Sequence, residues 1–275
     1  MKNRFLLIIA FAILSVSISL AVPYYNQFDH KEVVSFLRQF IKPGDLVFDV
    51  GANIGNKTKL YLELGAKVVC FEPQNDCIGV LKRKYQHNND VTIEQVGLAD
   101  KEGELEFFQC SLANTLSTFS RECTKEGRFA QHNFRWNKKS VVPVTTLDKM
   151  IAKYGVPSFC KIDVEGFEYS VIKGLSRPIQ CISFECNIEL VDQAAKSLEY
   201  LSSLGYTRFN MAIGERGQFL FDGWLSKDEL IAGIEKERGN PKWNDIWGLW
   251  GDIYAVLSRR CSIGEWSPEP NERAL

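Results

Sequence analysis

The 275-residue sequence predicts a doubly wound α/β domain over most of residues 42–258, a mostly parallel sheet with helices on both faces. Three observations predict it. Short apolar runs alternate with amphipathic segments long enough for one helix each, the pattern of right-handed strand–helix–strand crossovers. The first run, at 46–50, passes into a turn with glycines at 51 and 55, and the second, at 68–71, ends on Glu72-Pro73.

Taken in order, residues 28–41 place Val33, Leu37, Phe40 and Ile41 at helical spacing, and Lys42-Pro43-Gly44-Asp45 ends that helix. The runs at 46–50, 68–71, 91–96, 159–162 and 182–184 read as strands. Segments 57–64, closed by Gly65, and 76–88, with Leu81 and Tyr85 on one face, are the helices between the first three. An insertion from about 104 to 146 follows, in which 105–108 and 141–145 read as a hairpin pair. Its middle, 111–140, carries Arg121, Lys125, Arg128, Arg135, Lys138 and Lys139 against Glu122 and Glu126. That charge suits either a solvated loop or recognition of an anionic acceptor, with Phe129, Phe134 and Trp136 available to stack on a ring. After a helix at 188–204 ended by Gly205, the runs at 207–211, 218–221 and 252–257 read as antiparallel edge strands. Trp224, Trp243, Trp247 and Trp250 fall among them, placed either to cap a pocket or to fill the core.

Composition narrows the class of partner. With 45% apolar residues the chain is no disordered tail, and 33 Lys and Arg against 34 Asp and Glu, a net charge of −1, give no global attraction for nucleic acid. Residues 5–22 contain nothing more polar than serine and follow Lys2 and Arg4. They are expected to be a membrane anchor, or a signal segment cleaved after Ala21, which divides the chain into that segment, a domain at 23–260 and a tail at 261–275. Of the eight cysteines, Cys70, Cys160 and Cys181 sit within strand-like runs, where a thiol acts as a small buried hydrophobe and not as half of a disulfide. No CxxC occurs and only His30, His87 and His132 are present, so no metal cage is expected.

The segment 46–55, LVFDVGANIG, carries the chemistry. Turn and helix-start amides attract a negative group, and a carboxylate at the end of the adjacent strand, Glu72, can accept both hydroxyls of a ribose. A dinucleotide fingerprint is GxGxxG, but here the middle glycine is missing and Asp49 precedes the turn, a position that would repel a pyrophosphate and suit an ammonium. S-adenosylmethionine has that set of groups: a carboxylate for the turn amides, an ammonium for Asp49, a ribose for Glu72 and an adenine for the apolar rim near residues 96–98.

Five blocks carry a resemblance: LVFDVGANIGNKT (46–58), VVCFEP (68–73), VGLADKEGELEF (96–107), VTTLDKMI (144–151) and KIDVEGFEYSVIKG (161–174). In that order they resemble the successive motifs of the FkbM-type, S-adenosylmethionine-dependent methyltransferases. The resemblance implies a class I methyltransferase fold, with a seven-stranded sheet whose last pair is antiparallel, and O-methylation of a sugar or another small molecule. It implies cofactor contacts at Asp49, Gly51, Asn53, Gly55, Glu72 and Leu98. Asp163 and Glu165 would orient or deprotonate an acceptor hydroxyl, with Lys161 tuning them. In-line transfer would need no metal. A nicotinamide oxidoreductase is the competing enzyme and lacks its middle glycine; an inactive, membrane-tethered binding module is the competing non-enzyme.

Overall fold

The computed structural model describes residues 30–132, 134–214, 216–241 and 249–257. The apolar segment 5–22, the tail 261–275, Trp243 and Trp247 lie outside the described residues, among which no helix is long and apolar enough to cross a membrane.

The main sheet has seven strands: β1 (Leu46–Val50), β2 (Lys67–Phe71), β3 (Val91–Glu94), β7 (Phe159–Ile162), β8 (Cys181–Asn187), β9 (Tyr206–Ile213) and β10 (Trp250–Leu257). Their order is β3-β2-β1-β7-β8-β10-β9. All neighbours are parallel except β10, which runs antiparallel to both β8 and β9. Strand β1 is apolar throughout apart from Asp49 because both its faces are covered. Phe48 and Val50 join one core and Val47 the other. Helices α1 (His30–Leu37), α2 (Asn56–Glu63) and α3 (Asn75–Tyr85) cover the Val47 side. On the opposite side lie α6 (Leu147–Tyr154), α7 (Glu168–Lys173), α8 (Val191–Ser203) and α9 (Lys227–Glu237).

The insertion forms its own small sheet. Strand β5 (Gly103–Gln109) pairs antiparallel with β6 (Lys138–Thr145), as the hairpin reading expects, and the two-residue strand β4 (Gly97–Leu98) adds to β6 in parallel. Short helices α4 (Cys123–Glu126) and α5 (Arg128–Gln131) lie between β5 and β6.

One expected strand is absent. Residues 218–221 make only an isolated bridge, Ala212 to Phe219, because the side-chain amide of Asn210 in β9, in place of a backbone ladder, takes the carbonyls of Phe221 (2.9 Å) and Gly223 (2.6 Å). Trp224 belongs to the core: its ring lies 5.1 Å from Phe219 and 6.4 Å from Phe40. All seven described cysteines are free, and Cys70, Cys160 and Cys181 are buried as the strand reading expects.

The segment after α1 is locked into this core. Phe40 is 4% exposed and stacks on Tyr254 at 4.9 Å, with Phe36 edge-on at 5.6 Å. Truncation to Ala is expected to cost about 3–5 kcal/mol in urea denaturation. A loss under about 1 kcal/mol would show that residues 30–41 are dispensable to the folded domain.

Candidate active site

The carboxyl end of β1 runs into a turn fixed by backbone contact. Gly51 has φ 80°, and a Cβ there would lie 1.8 Å from the Asp163 carbonyl oxygen at the end of β7. Only glycine lets the two strand ends meet so closely. The Gly51 and Ala52 amides donate to Phe71 O at 2.9 and 3.2 Å, tying the turn to the end of β2.

Glu72 is clamped at that junction. Its two carboxylate oxygens accept from the backbone amides of Asn53 (2.8 Å) and Gln74 (2.7 Å), so the group is oriented before any ligand arrives. Asn53 itself takes φ 48°, a conformation Asn tolerates better than most residues. The carboxyl is 5% exposed, and burial outweighs both amides, pushing it up to about 7. Gly51, Asn53, Glu72, Leu98, Asp163 and Glu165 all line one cleft, of about 200 Å³, at the carboxyl ends of the strands.

Two expected cofactor contacts stand elsewhere. Side chains alternate along a strand, and Asp49 shares the Val47 face, away from the cleft. It is 2% exposed and accepts from the Thr58 hydroxyl at 2.6 Å, which anchors the start of α2; burial pushes it up to about 6. Gly55 (φ 81°) precedes α2, where a Cβ would meet Tyr85 at 2.7 Å and Leu81 at 2.8 Å, so this glycine serves the packing of α3. The anion-binding amides shift as well. Those of residues 51–54 are used within the protein, whereas the first turn of α2, where Asn56 and Lys57 line the cleft, offers helix-start amides that have no acceptor inside their own helix.

The facing wall begins at Lys161, which is 1% exposed and does not itself line the cleft. Its Nζ lies 2.8 Å from Asp252 of β10 and 3.1 Å from Asp163. Burial works against this ammonium, but Asp163, Asp252 and Glu185 prevail and hold it charged, well above the usual lysine range. Asp163 is thereby tethered from below.

The turn that follows places Glu165 at φ 54° and Gly166 at φ 85°. Glu168, at the start of α7, holds it: one carboxylate oxygen accepts from the Val164 (3.0 Å) and Gly166 (3.1 Å) amides, and burial pushes this carboxyl up to about 7. Glu165 thus precedes the helix, which begins at Glu168. Glu185 of β8 completes the wall, and carboxylate oxygens of Asp163, Glu165 and Glu185 lie within 4.8 Å of one another. Burial and then the charges of Glu165, Asp163 and Glu168 push Glu185 well above the usual carboxylate range. Such a trio has the spacing to share one cation, a possibility that a search for His and Cys spacing does not reveal.

Leu98 and Phe119 supply an apolar rim. The segment 114–117 also lines the cleft, and Thr118 Oγ1 donates to the Glu165 carbonyl at 2.8 Å, joining the insertion to the acidic turn. Phe129 and Trp250 add aromatic surface. Glu185 and Asp252 carry no local motif; only strand pairing brings them here.

A doubly wound sheet with an antiparallel β10, a clamped acid at the end of β2 and an acidic turn at the end of β7 defines a class I methyltransferase fold. The chain belongs to the FkbM methyltransferase family, since the family model described as "Methyltransferase FkbM domain" matches residues 49–226. Hexuronic acid methyltransferase AglP of Haloferax volcanii is 24% identical over 157 residues, covering 56% of this chain and 59% of that protein. The match thus spans less than two thirds of the relative. Similar solved structures include an O-methyltransferase from Bacillus cereus in complex with SAH, at 12% identity over 90% of this chain and 89% of that one, with a TM-score of 0.44. The precorrin-6y C5,15-methyltransferase from Geobacter metallireducens is 13% identical over 83% and 87% of the two chains, with a TM-score of 0.43.

The buried carboxyls give the domain a distinctive pH response. Asp49 moves from 3.8 to about 6, and Glu72 and Glu168 move from 4.5 to about 7, so the folded chain retains protons that the unfolded chain has released. Stability is then lost as pH rises from the unfolded values through the folded ones. The melting temperature is expected to fall between about pH 5 and about pH 8 in scanning calorimetry. A rise over that interval would show that these groups are ionised without penalty.

Proposed function

We propose that this protein transfers the methyl group of S-adenosylmethionine to a hydroxyl of a sugar or another small molecule. The observation that carries the reading is the pairing of two acidic walls across one cleft: Glu72, preset by two backbone amides on the β2 side, and Asp163 with Glu165 on the β7 side. The hexuronic acid methyltransferase relative supports a saccharide acceptor.

The residues fit the ribose, the base and the carboxylate of the cofactor. Glu72 retains lone pairs for the two ribose hydroxyls after accepting from Asn53 and Gln74, since a carboxylate has about four acceptor sites. Leu98 and Phe119 present apolar surface for a base, and the first turn of α2 beside Lys57 suits a carboxylate. When bound, S-adenosylmethionine supplies a methyl group on a positively charged sulfur, already activated for displacement.

The protein's own part is alignment and proton removal. Asp163 or Glu165 accepts the acceptor's hydroxyl proton as its oxygen forms the new bond to the methyl carbon, and the electron pair of the broken C–S bond stays on sulfur. Lys161, charged and immobile under Asp163, keeps that carboxylate facing the cleft. Positioning supplies much of the remaining acceleration.

Two variants separate binding from chemistry. Glu72→Gln replaces an acceptor with a donor opposite the ribose and is expected to weaken S-adenosylhomocysteine binding at least about tenfold in calorimetry; equal affinity would remove Glu72 from the cofactor site. Asp163→Asn is expected to lower kcat by about 10²–10⁴ with labelled cofactor and a hexuronic acid or neutral glycoside acceptor, leaving S-adenosylhomocysteine affinity near wild type. Turnover should persist in EDTA. If EDTA abolished it and an added divalent cation restored it, the carboxylate trio would be acting as a metal site and not as a base.

A further inference from the structure

The basic part of the insertion does not disperse into solvent. Arg121, Lys125, Arg135 and Lys139 line a second groove, of about 640 Å³, together with Phe108, Phe134 and Trp136, and among the described residues none of its lining is acidic. Glu106 is the carboxylate that reaches into this group, 2.5 Å from Arg121 and 3.6 Å from Lys139. It serves two cations at once, and the Arg135 guanidinium donates to the carbonyls of Ala130 and Phe134 at 3.2 and 2.8 Å. Arg121 and Lys139 both lie over the Phe108 ring, at 5.4 and 5.1 Å. A concave wall with several cations, a shared counter-charge and an aromatic floor focuses a positive potential that a convex lysine-rich loop would dissipate.

This groove adjoins the methyl-transfer cleft. Leu116, Phe129 and Glu165 line both that cleft and a narrow fissure beside it, and Trp136 lines both the fissure and the basic groove. The indole is fixed in place by its bond from Nε1 to the Leu116 carbonyl at 2.6 Å. The acidic turn, aromatic rings suited to sugar faces and the cluster of cations are thus neighbours, linked through shared wall residues.

We propose that Arg121, Lys125, Arg135 and Lys139 form a subsite for an anionic saccharide unit of the acceptor, distinct from the unit that is methylated. The inference rests on the methyl-transfer reading and specifies its substrate: an oligosaccharide bearing a carboxylate, phosphate or sulfate beyond the reacting sugar. The repulsive carboxylates of the cleft and the attractive groove together set direction, since the charged unit is turned away from Asp163 and Glu165 and towards the cations.

The test is calorimetry on the full chain in the presence of S-adenosylhomocysteine, with four probes. These are a hyaluronan tetrasaccharide (carboxylate only), a heparin tetrasaccharide (sulfate and carboxylate), neutral chitotetraose and a single-stranded oligonucleotide. At least one anionic tetrasaccharide is expected to bind about tenfold or more tighter than chitotetraose, with an advantage that shrinks as salt rises. Which of the two binds tighter distinguishes a carboxylate from a sulfate-like group. The Arg121→Gln/Lys139→Gln variant should lose that advantage while S-adenosylhomocysteine affinity, measured separately, stays at the wild-type value. Lys125→Glu, on the exposed face of α4, provides a second variant that leaves the Glu106 pairing untouched and should reduce the advantage in the same direction. Equal affinity for neutral and anionic tetrasaccharides, a preference that survives both variants, or an oligonucleotide that binds as tightly as the saccharides would overturn the subsite. Anionic binding that persists when no saccharide is methylated would overturn the methyl-transfer reading and leave the subsite standing.

Discussion

An ammonium group sealed within the sheet sets the geometry of the cleft at its carboxyl edge. Lys161 is almost fully buried on β7, and its charge is tolerable only because Asp163 and Asp252 lie within ion-pair distance on two sides. An ammonium stripped of both carboxylates would be an uncompensated charge in a low-dielectric interior, where breaking a buried pair costs about 3–5 kcal/mol. The antiparallel β10, which delivers Asp252, is therefore tied electrostatically to the strand that ends in the acidic turn. The last strand of the domain thus takes part in placing Asp163, though it lies far away in the chain.

The backbone does comparable work on the other wall. Gly51 brings the β1 turn against the Asp163 carbonyl, and Glu72 is held by amides on both sides. Few of these constraints depend on side-chain packing, which the surrounding cores supply separately. The cleft is consequently an acidic space on a neutral domain, and its ligands must bring cationic or hydroxyl groups to it. The basic groove of the insertion lies nearby and carries charge of the opposite sign.

Much of this was legible in the sequence, for local reasons. The β1 run, its glycine turn, the strand-ending Glu72 and the acidic turn after β7 are contiguous motifs whose positions follow from crossover topology alone. What could not be read depends on facing and on remote pairing. Asp49 lies in the right segment but on the other face of a strand buried on both sides, where apolar patterning gives no clue to direction. Gly55 has the spacing of a ligand glycine and the surroundings of a packing glycine. Glu185 and Asp252 enter through β8 and β10, whose register is fixed by the whole sheet. The run at 218–221 has a strand's composition, but Asn210 claims its carbonyls. Helices α6 and α9 carry ordinary caps, Thr146 bonding the Lys149 amide and Ser226 boxed with Glu229, which stand out once the flanking strands are fixed.

Six buried thiols, Cys70, Cys77, Cys110, Cys160, Cys181 and Cys186, are spread across the main sheet, helix α3 and the insertion. Burial pushes Cys77 up to about 12 and holds Cys70, Cys160 and Cys186 higher still, so the folded chain presents almost no thiolate at these four positions. Reaction with a thiol reagent must wait for the surrounding structure to open. The cysteines therefore act as built-in clocks: the rate at which each is labelled reports how often its own part of the domain breathes, without any added probe.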